Sequence, residues 1–372
     1  MRTHVLATGW LTLALAVNAH AQSAGTARPG QTGTGASTPT PKAAAPAKPA
    51  RTAGGVPRTG WGDPDLQGVW DYWTFTPLER PAEYVDKPMF SDAEHAALLE
   101  RLGGQAAALD ARAPAQGDPG AYSQEVWTER ARPTALKQTS ILILPEDGRI
   151  PAMTAEAKQK DAAEKATGRP PVRMRSDGIG DDNPEERGLS ERCLLGFSTG
   201  PPFQPGGYNN NVQIVQTKDY VLLHLEMNHD ARIIPLDRRP HLPGHIKTWL
   251  GDARGHWEGN TLVVESTNFT PKMAAFSARS GASGYEFGSA ENVRLIERFR
   301  RVDAQTLEYE FTVNDPTTFT RPFTGRLPMS LTGELIYEYA CHEGNYGLMD
   351  ILRGGRAEEA RKAKSGGGPG RF

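Results

Sequence analysis

The chain has 372 residues, with 42 basic side chains against 44 acidic ones, nine histidines and two cysteines. Charge so nearly balanced excludes the basic stripe expected of a nucleic-acid binder or a protein held on an anionic membrane surface. Nor does the sequence contain a phosphate loop, a dinucleotide fingerprint, a zinc signature or a nucleophile elbow.

Arg2 and His4 open a short polar start, Val5 to Val17 is an apolar run, and Ala19-His20-Ala21 fits a small-x-small cleavage site. The run is shorter than the roughly 20 residues that span a bilayer. Residues 1–21 are therefore expected to be a cleaved signal peptide, and the mature chain to be periplasmic or secreted with no integral membrane segment. Residues 22–58 are Ala- and Pro-rich, with basic side chains and no acidic ones. Such a composition buries too little apolar surface to offset the cost of ordering, which predicts a disordered linker. Residues 59–355 remain for a single domain of roughly 300 residues, enough for a proper core. Residues 356–372, a charged run followed by SGGGPGRF, read as a frayed tail.

Within the domain, Ser91-Asp92-Ala93-Glu94 is a capping box that predicts a helix running through Arg101 and stopping at Gly103-Gly104, with loop to Ala121. Ser140 to Leu144 predicts a short buried strand ended by Pro145 and the Asp147-Gly148 turn. Thr154 to Ala166 reads as a surface helix and Thr167 to Gly188 as a long loop. From Asn211 the period changes to two, and strands are expected at Gln213–Gln216, Tyr220–Met227, Arg232–Leu236, Thr261–Ser266, Val293–Val302, Thr306–Val313, Phe319–Leu327 and Leu335–Ala340. The links are short turns, which can join only antiparallel neighbours. A meander of this size tends to curl and close, because closure removes exposed edges.

Gly68-Val69-Trp70 resembles the Gly-x-Trp signature on the first strand of lipocalin-like barrels, and the GHWEGNTLVVE and ERFRRVDAQTLEYEF hairpins fit the same picture. The expected fold is mainly β: an antiparallel up-and-down, lipocalin- or calycin-like β-barrel with a few peripheral helices and long loops. The segments SERCLLGF, GGYNNNVQIVQT, NHDARIIPLD, WLGDARGHWEGNTLVVESTNF and YEYACHEGNYG also resemble a large uncharacterised family of exported bacterial proteins, from Trp61 to about Glu359. That resemblance carries no activity over to individual residues.

Cys193 and Cys341 are an even pair, which in an oxidising compartment favours a disulfide over one buried and one reactive thiol. On the strand at Tyr220–Met227 one face carries Tyr220, Leu222, His224 and Glu226, and the other only apolar residues. His224 and Glu226 are a candidate acid–base pair if their face lines a polar cavity, and solvated side chains if it does not. Asp230 lies two residues before Arg232 and shares its face, so the two could pair or orient a substrate, while His229 sits in a turn beside them. His342, next to Cys341 at a strand end, completes the candidate catalytic set His224, Glu226, His229, Asp230, Arg232 and His342. His241 and His245 alone supply too few ligands for a catalytic zinc, which usually takes three from the protein, yet a loop could bring both to one ion with a third from His256, His229 or His342. Tyr208-Asn209-Asn210-Asn211 are read as amides that satisfy a buried loop.

These observations lead to an exported protein that takes up a small, partly apolar organic ligand, with no cofactor and no nucleic-acid partner. It would be either a cofactor-independent acid–base enzyme (isomerase, lyase or hydratase) or a binding or structural envelope protein without catalysis. A metal-dependent hydrolase on His241, His245 and His256 is the third reading.

Overall fold

Alternation builds the sheet. Val221, Leu223 and Leu225 fall on one side of a strand and are fully buried, while Leu222 and His224 fall on the other. The computed structural model describes residues 55–110, 134–167, 180–196, 199–273 and 291–364. The expected signal peptide, nearly all of the linker and the Gly-rich end of the tail lie outside the described residues, as do the stretches that the sequence reads as loop at 111–121 and 168–179. Ten strands form one antiparallel sheet: β1 (Gly68–Asp71), β2 (Leu142–Leu144), β3 (Asn211–Gln216), β4 (Tyr220–Leu225), β5 (Ala231–Pro235), β6 (Asp252–Glu258), β7 (Thr261–Thr267), β8 (Arg294–Arg301), β9 (Thr306–Asn314) and β10 (Phe323–Thr332). The ladder order is β5-β4-β3-β1-β10-β9-β8-β7-β6, with β2 added to β10. Among the described residues three α-helices accompany it: α1 (Asp92–Asp110), α2 (Ala155–Ala166) and α3 (Tyr346–Lys364).

The sheet is rolled. β5 and β8 stand six ladder steps apart, about 29 Å in a flat sheet at roughly 4.8 Å per step. Yet Arg232 of β5 hydrogen-bonds Glu297 of β8 at 3.0 Å. The two outer strands also come close, the Ile234 side chain of β5 lying so near Gly255 of β6 that a Cβ there would come within 2.7 Å of it. No ladder joins those strands, however, so the sheet is open and the expected barrel closure, with its lipocalin likeness, is not shown.

One reason for the opening lies in β5. Leu225 N–H donates to Asp230 and Leu236 N–H donates to Asp219, which fixes the pairing phase and turns the backbone groups of Ala231, Ile233 and Pro235 away from β4. Proline has no N–H to give, so this edge is blunted. The rolled face is packed solid: Trp70, Leu223, Phe299, Tyr309, Phe323 and Leu327 are each 0% exposed. Trp70 donates its indole N–H to Leu66 O at 2.8 Å and carries the Arg301 guanidinium 5.2 Å from its ring centre.

The capping box at Ser91 is present, with Ser91 N–H donating to Glu94 Oε2 at 2.9 Å and Glu94 N–H to Ser91 Oγ at 3.4 Å. The helix does not stop at Gly103-Gly104 as expected but continues to Asp110. Buried Leu102 anchors it, and the following Gln-Ala-Ala-Ala favours helix strongly enough to outweigh two glycines. Leu335–Ala340 alternates like a strand but forms none. Both sides of β10 are already taken by β1 and β9, so the chain leaves the sheet with Leu335 and Tyr337 exposed. The charged run from Arg356 is the second half of α3, which begins at Tyr346. Cys193 and Cys341 are bonded, their Cα atoms 5.8 Å apart, and tie the segment before β3 to the chain after β10. Closing so long a loop stabilises by about 4–5 kcal/mol in the chain-entropy account.

Gly325 of β10 faces Phe311 of β9, and a Cβ there would come within 2.3 Å of the Phe311 ring, itself 1% exposed. Gly325→Ala should therefore destabilise the protein by about 1–3 kcal/mol, measured as a lower urea midpoint at constant slope. A wild-type midpoint would mean the ring can move aside.

Candidate functional site

The β4–β5 connection holds five of the sequence-predicted residues, and the alternation divides them between two faces. His224 lies opposite buried Val221, Leu223 and Leu225, on the outer side of the sheet. The chain then makes a single 3-10 turn over Met227–His229, with Asn228 at φ 59° and His229 at φ 53°. Both are left-handed, a conformation costly for a residue with a Cβ, though Asn tolerates it best. The turn brings the His229 ring 5.2 Å from that of His224. Tyr339 N–H donates to His229 Nε2 at 3.1 Å, which places any proton of the neutral ring on Nδ1. That Nδ1 is buried and has no partner among the described residues. Burial, and secondarily the neighbouring His229, push His224 below its ordinary value, so His224 favours the neutral state.

Glu226 is bound to the loop before it. Its Oε2 accepts from Asn211 Nδ2 at 2.9 Å and from Asn211 N–H at 3.3 Å. Asn210, 0% exposed, closes the same loop by exchanging bonds with Gly206 N–H and O, the role expected of the amide run. His342 is exposed.

Arg232 points the opposite way from His224. Its guanidinium, with the side chain only 2% exposed, forks onto the fully buried Glu297: Nη1 donates to Oε1 at 3.0 Å and Nη2 to Oε2. Nη2 also donates to Ser266 Oγ at 3.2 Å, and Tyr309 Oη donates to Glu297 Oε1 at 2.9 Å. Burial pulls the Arg232 pKa down, but the Glu297 charge and hydrogen bonds outweigh it and the net is upward. Burial first, then the Glu297 carboxylate, push the Tyr309 phenol well above its ordinary range, so it remains a neutral donor. The Arg232 Nε–H is buried without a partner among the described residues.

Asp230 and Arg232 line a cleft of about 380 Å³ between the unpaired edges of β5 and β6. Its other walls are Leu194, Ile233, Thr248, Trp249, Leu250 and the start of β6 at Asp252 and Ala253. Asp252 is 7% exposed and organises the rim: its Oδ2 lies 2.8 Å from His241 Nδ1 and accepts from Leu242 N–H at 3.0 Å, while Oδ1 accepts from Arg254 Nη1 at 2.7 Å. The loop carrying Thr248 and Trp249 is thus clasped to β6. His256 pairs instead with Glu258 at 3.1 Å and His245 is exposed. The three histidines considered for a metal do not meet, and among the described residues no group of three metal-capable side chains gathers.

The structure therefore brings Asp230 with Arg232 and, separately, His224 with His229. Glu297, Ser266, Tyr309, Asp252 and Trp249 were not singled out by the sequence reading. A signal for Glu297 was available, because it shares strand parity with Leu295 and Phe299 and so had to face inward. No protein-family model matches this chain, and no curated protein matches it.

Since the folded-state pKa of His224 lies below the unfolded value of 6.5, the unfolded chain binds more protons between the two values. Stability falls as pH drops through 6.5, and the loss is complete below the depressed folded value. Urea unfolding at about pH 7.5 and about pH 5 should show a smaller acid loss for His224→Gln than for the wild type. Equal losses would contradict the depressed value.

Proposed function

We propose that the protein is an exported small-molecule binder whose ligand occupies the cleft between β5 and β6. The observation that carries this reading is the cleft itself: two sheet edges left unpaired by backbone, with charged and apolar side chains brought together between them. The packed inner face leaves the described interior to side chains, so the ligand is assigned to the seam rather than to a lumen. Trp249, Leu250 and Leu194 supply an apolar wall, and Thr248, Asp230 and Asp252 supply polar groups at the edge. The Arg232 charge is already met by Glu297, which disfavours an anionic ligand. The best fit is a compact, neutral, partly apolar molecule bearing a hydroxyl.

Binding without catalysis is favoured over acid–base catalysis, because His224 and Glu226 lie away from this cleft and Glu226 is engaged by Asn211. The Cys193–Cys341 bond supports an oxidising, exported setting. A calycin-like roll would also bring two edge strands to one opening, and the close approach of the Ile234 side chain to Gly255 supports that finer reading.

Phenol and benzyl alcohol are suitable probes. Saturation-transfer NMR should show both bound to the wild type, with affinity reduced about tenfold in Trp249→Ala, the order expected when an apolar wall is removed. Absence of transfer in the wild type, or transfer unchanged in Trp249→Ala, would overturn the assignment.

A further inference from the structure

A second cleft, about 480 Å³, lies on the far side of the sheet order from the β5–β6 seam and is lined by Arg80, Val85, Met89, Ile143, Glu146 and Arg326, among others. Its unusual member is Arg80. The residue is 4% exposed, yet no carboxylate among the described residues pairs with it. Only Nη1 is used, donating to Glu146 O at 2.7 Å and Val85 O at 3.4 Å. Nε is buried without a partner, and Nη2 makes no hydrogen bond among the described residues. Burying a guanidinium without a counter-charge is costly, and the idle Nε–Nη2 edge is the one that forks onto two oxygens of an anion.

The surroundings hold the residue in place. Arg80 N–H donates to Gly148 O at 2.9 Å, and Gly148, at φ +64°, lies so close that a Cβ would come within 3.1 Å of the Arg80 Cζ. Glycine at this turn lets the loop lie against the guanidinium. The other cation at the cleft, Arg326, is already paired with Glu310 at 2.9 Å, which leaves Arg80 as the guanidinium there without an ion pair among the described residues.

We infer that this cleft is a binding site for a monocarboxylate with an apolar body, its carboxylate forked on the Nε–Nη2 edge of Arg80. One free guanidinium edge suits one carboxylate. The exposed Asp86 and Glu146 on the lining disfavour a multiply charged anion, and the exposed Val85 and Met89 offer apolar surface to the rest of the molecule. The site shares no lining residue with the seam cleft and stands whether or not that cleft binds a ligand.

Calorimetric titration of the full chain with benzoate, benzamide and inorganic phosphate tests it. Benzoate should bind, with benzamide and phosphate each about tenfold weaker or more, as expected for loss of a charged fork or of the apolar contact. Arg80→Lys should weaken benzoate by about tenfold because Lys cannot fork. Should that variant fail to fold, Met89→Glu, at a residue 52% exposed, should weaken benzoate severalfold by like-charge repulsion with thermal unfolding unchanged. The inference is overturned if benzoate does not bind the wild type, if benzamide or phosphate binds as well as benzoate, or if a folded Arg80→Lys or Met89→Glu variant binds benzoate as the wild type does.

Discussion

The Arg232–Glu297 fork is the constraint on which the rest of the molecule depends. Two charges are placed where the side chains are 2% and 0% exposed, an arrangement whose desolvation cost is repaid only by good geometry and by partners for the remaining lone pairs. Those partners are present. Ser266 of β7 and Tyr309 of β9 complete the cluster, and the Tyr309 hydroxyl in turn accepts from Phe203 N–H at 3.1 Å. Four strands and the loop before β3 converge on it, so it fixes which part of β5 lies over which part of β8. An apolar pair in the same place would tolerate a slip along the strand; a bidentate fork does not.

Rolling by side chains rather than by a closed ladder accounts for the location of the seam cleft. Gly255 gives Ile234 and Leu236 room to approach β6, while Pro235 withholds a backbone donor from the β5 edge. The edges can therefore come near each other without pairing, and the space between them is lined by β5 on one side and by the Thr248–Ala253 approach to β6 on the other. The Cys193–Cys341 bond lies next to Leu194, which lines the same cleft. It holds the chain after β10 across the outer face, where Tyr339 N–H reaches His229 and Asn345 Nδ2 donates to Glu191 O at 2.8 Å.

Much of this architecture is legible in the residues. The two-residue rhythm locates β3 to β5 and β7 to β9 closely, since one apolar face per strand is all the sheet needs, but it sets β10 too early in the chain; the Ser91–Glu94 capping box is a local signal with local geometry. Ladder order is less legible. That β1 inserts between β3 and β10, far away in the chain, depends on pairings that no short motif records. The same limit explains Leu335–Ala340, whose alternation is sound but whose would-be partners are occupied. At the site, parity alone separates Arg232 from His224, and carrying the same count into β8 leads to Glu297. Trp249 stays hidden because a loop without periodicity positions it, and Arg80 because an absent counter-charge is visible only in three dimensions.

A double-mutant cycle on Arg232→Met and Glu297→Leu, read by urea unfolding, tests the central claim most directly. Each single change strands a buried charge and should cost about 3–5 kcal/mol, whereas the pair removed together should cost less than the sum by about 2 kcal/mol or more. Strictly additive losses would show that the two side chains do not hold the roll together, and the seam between β5 and β6 would need another explanation.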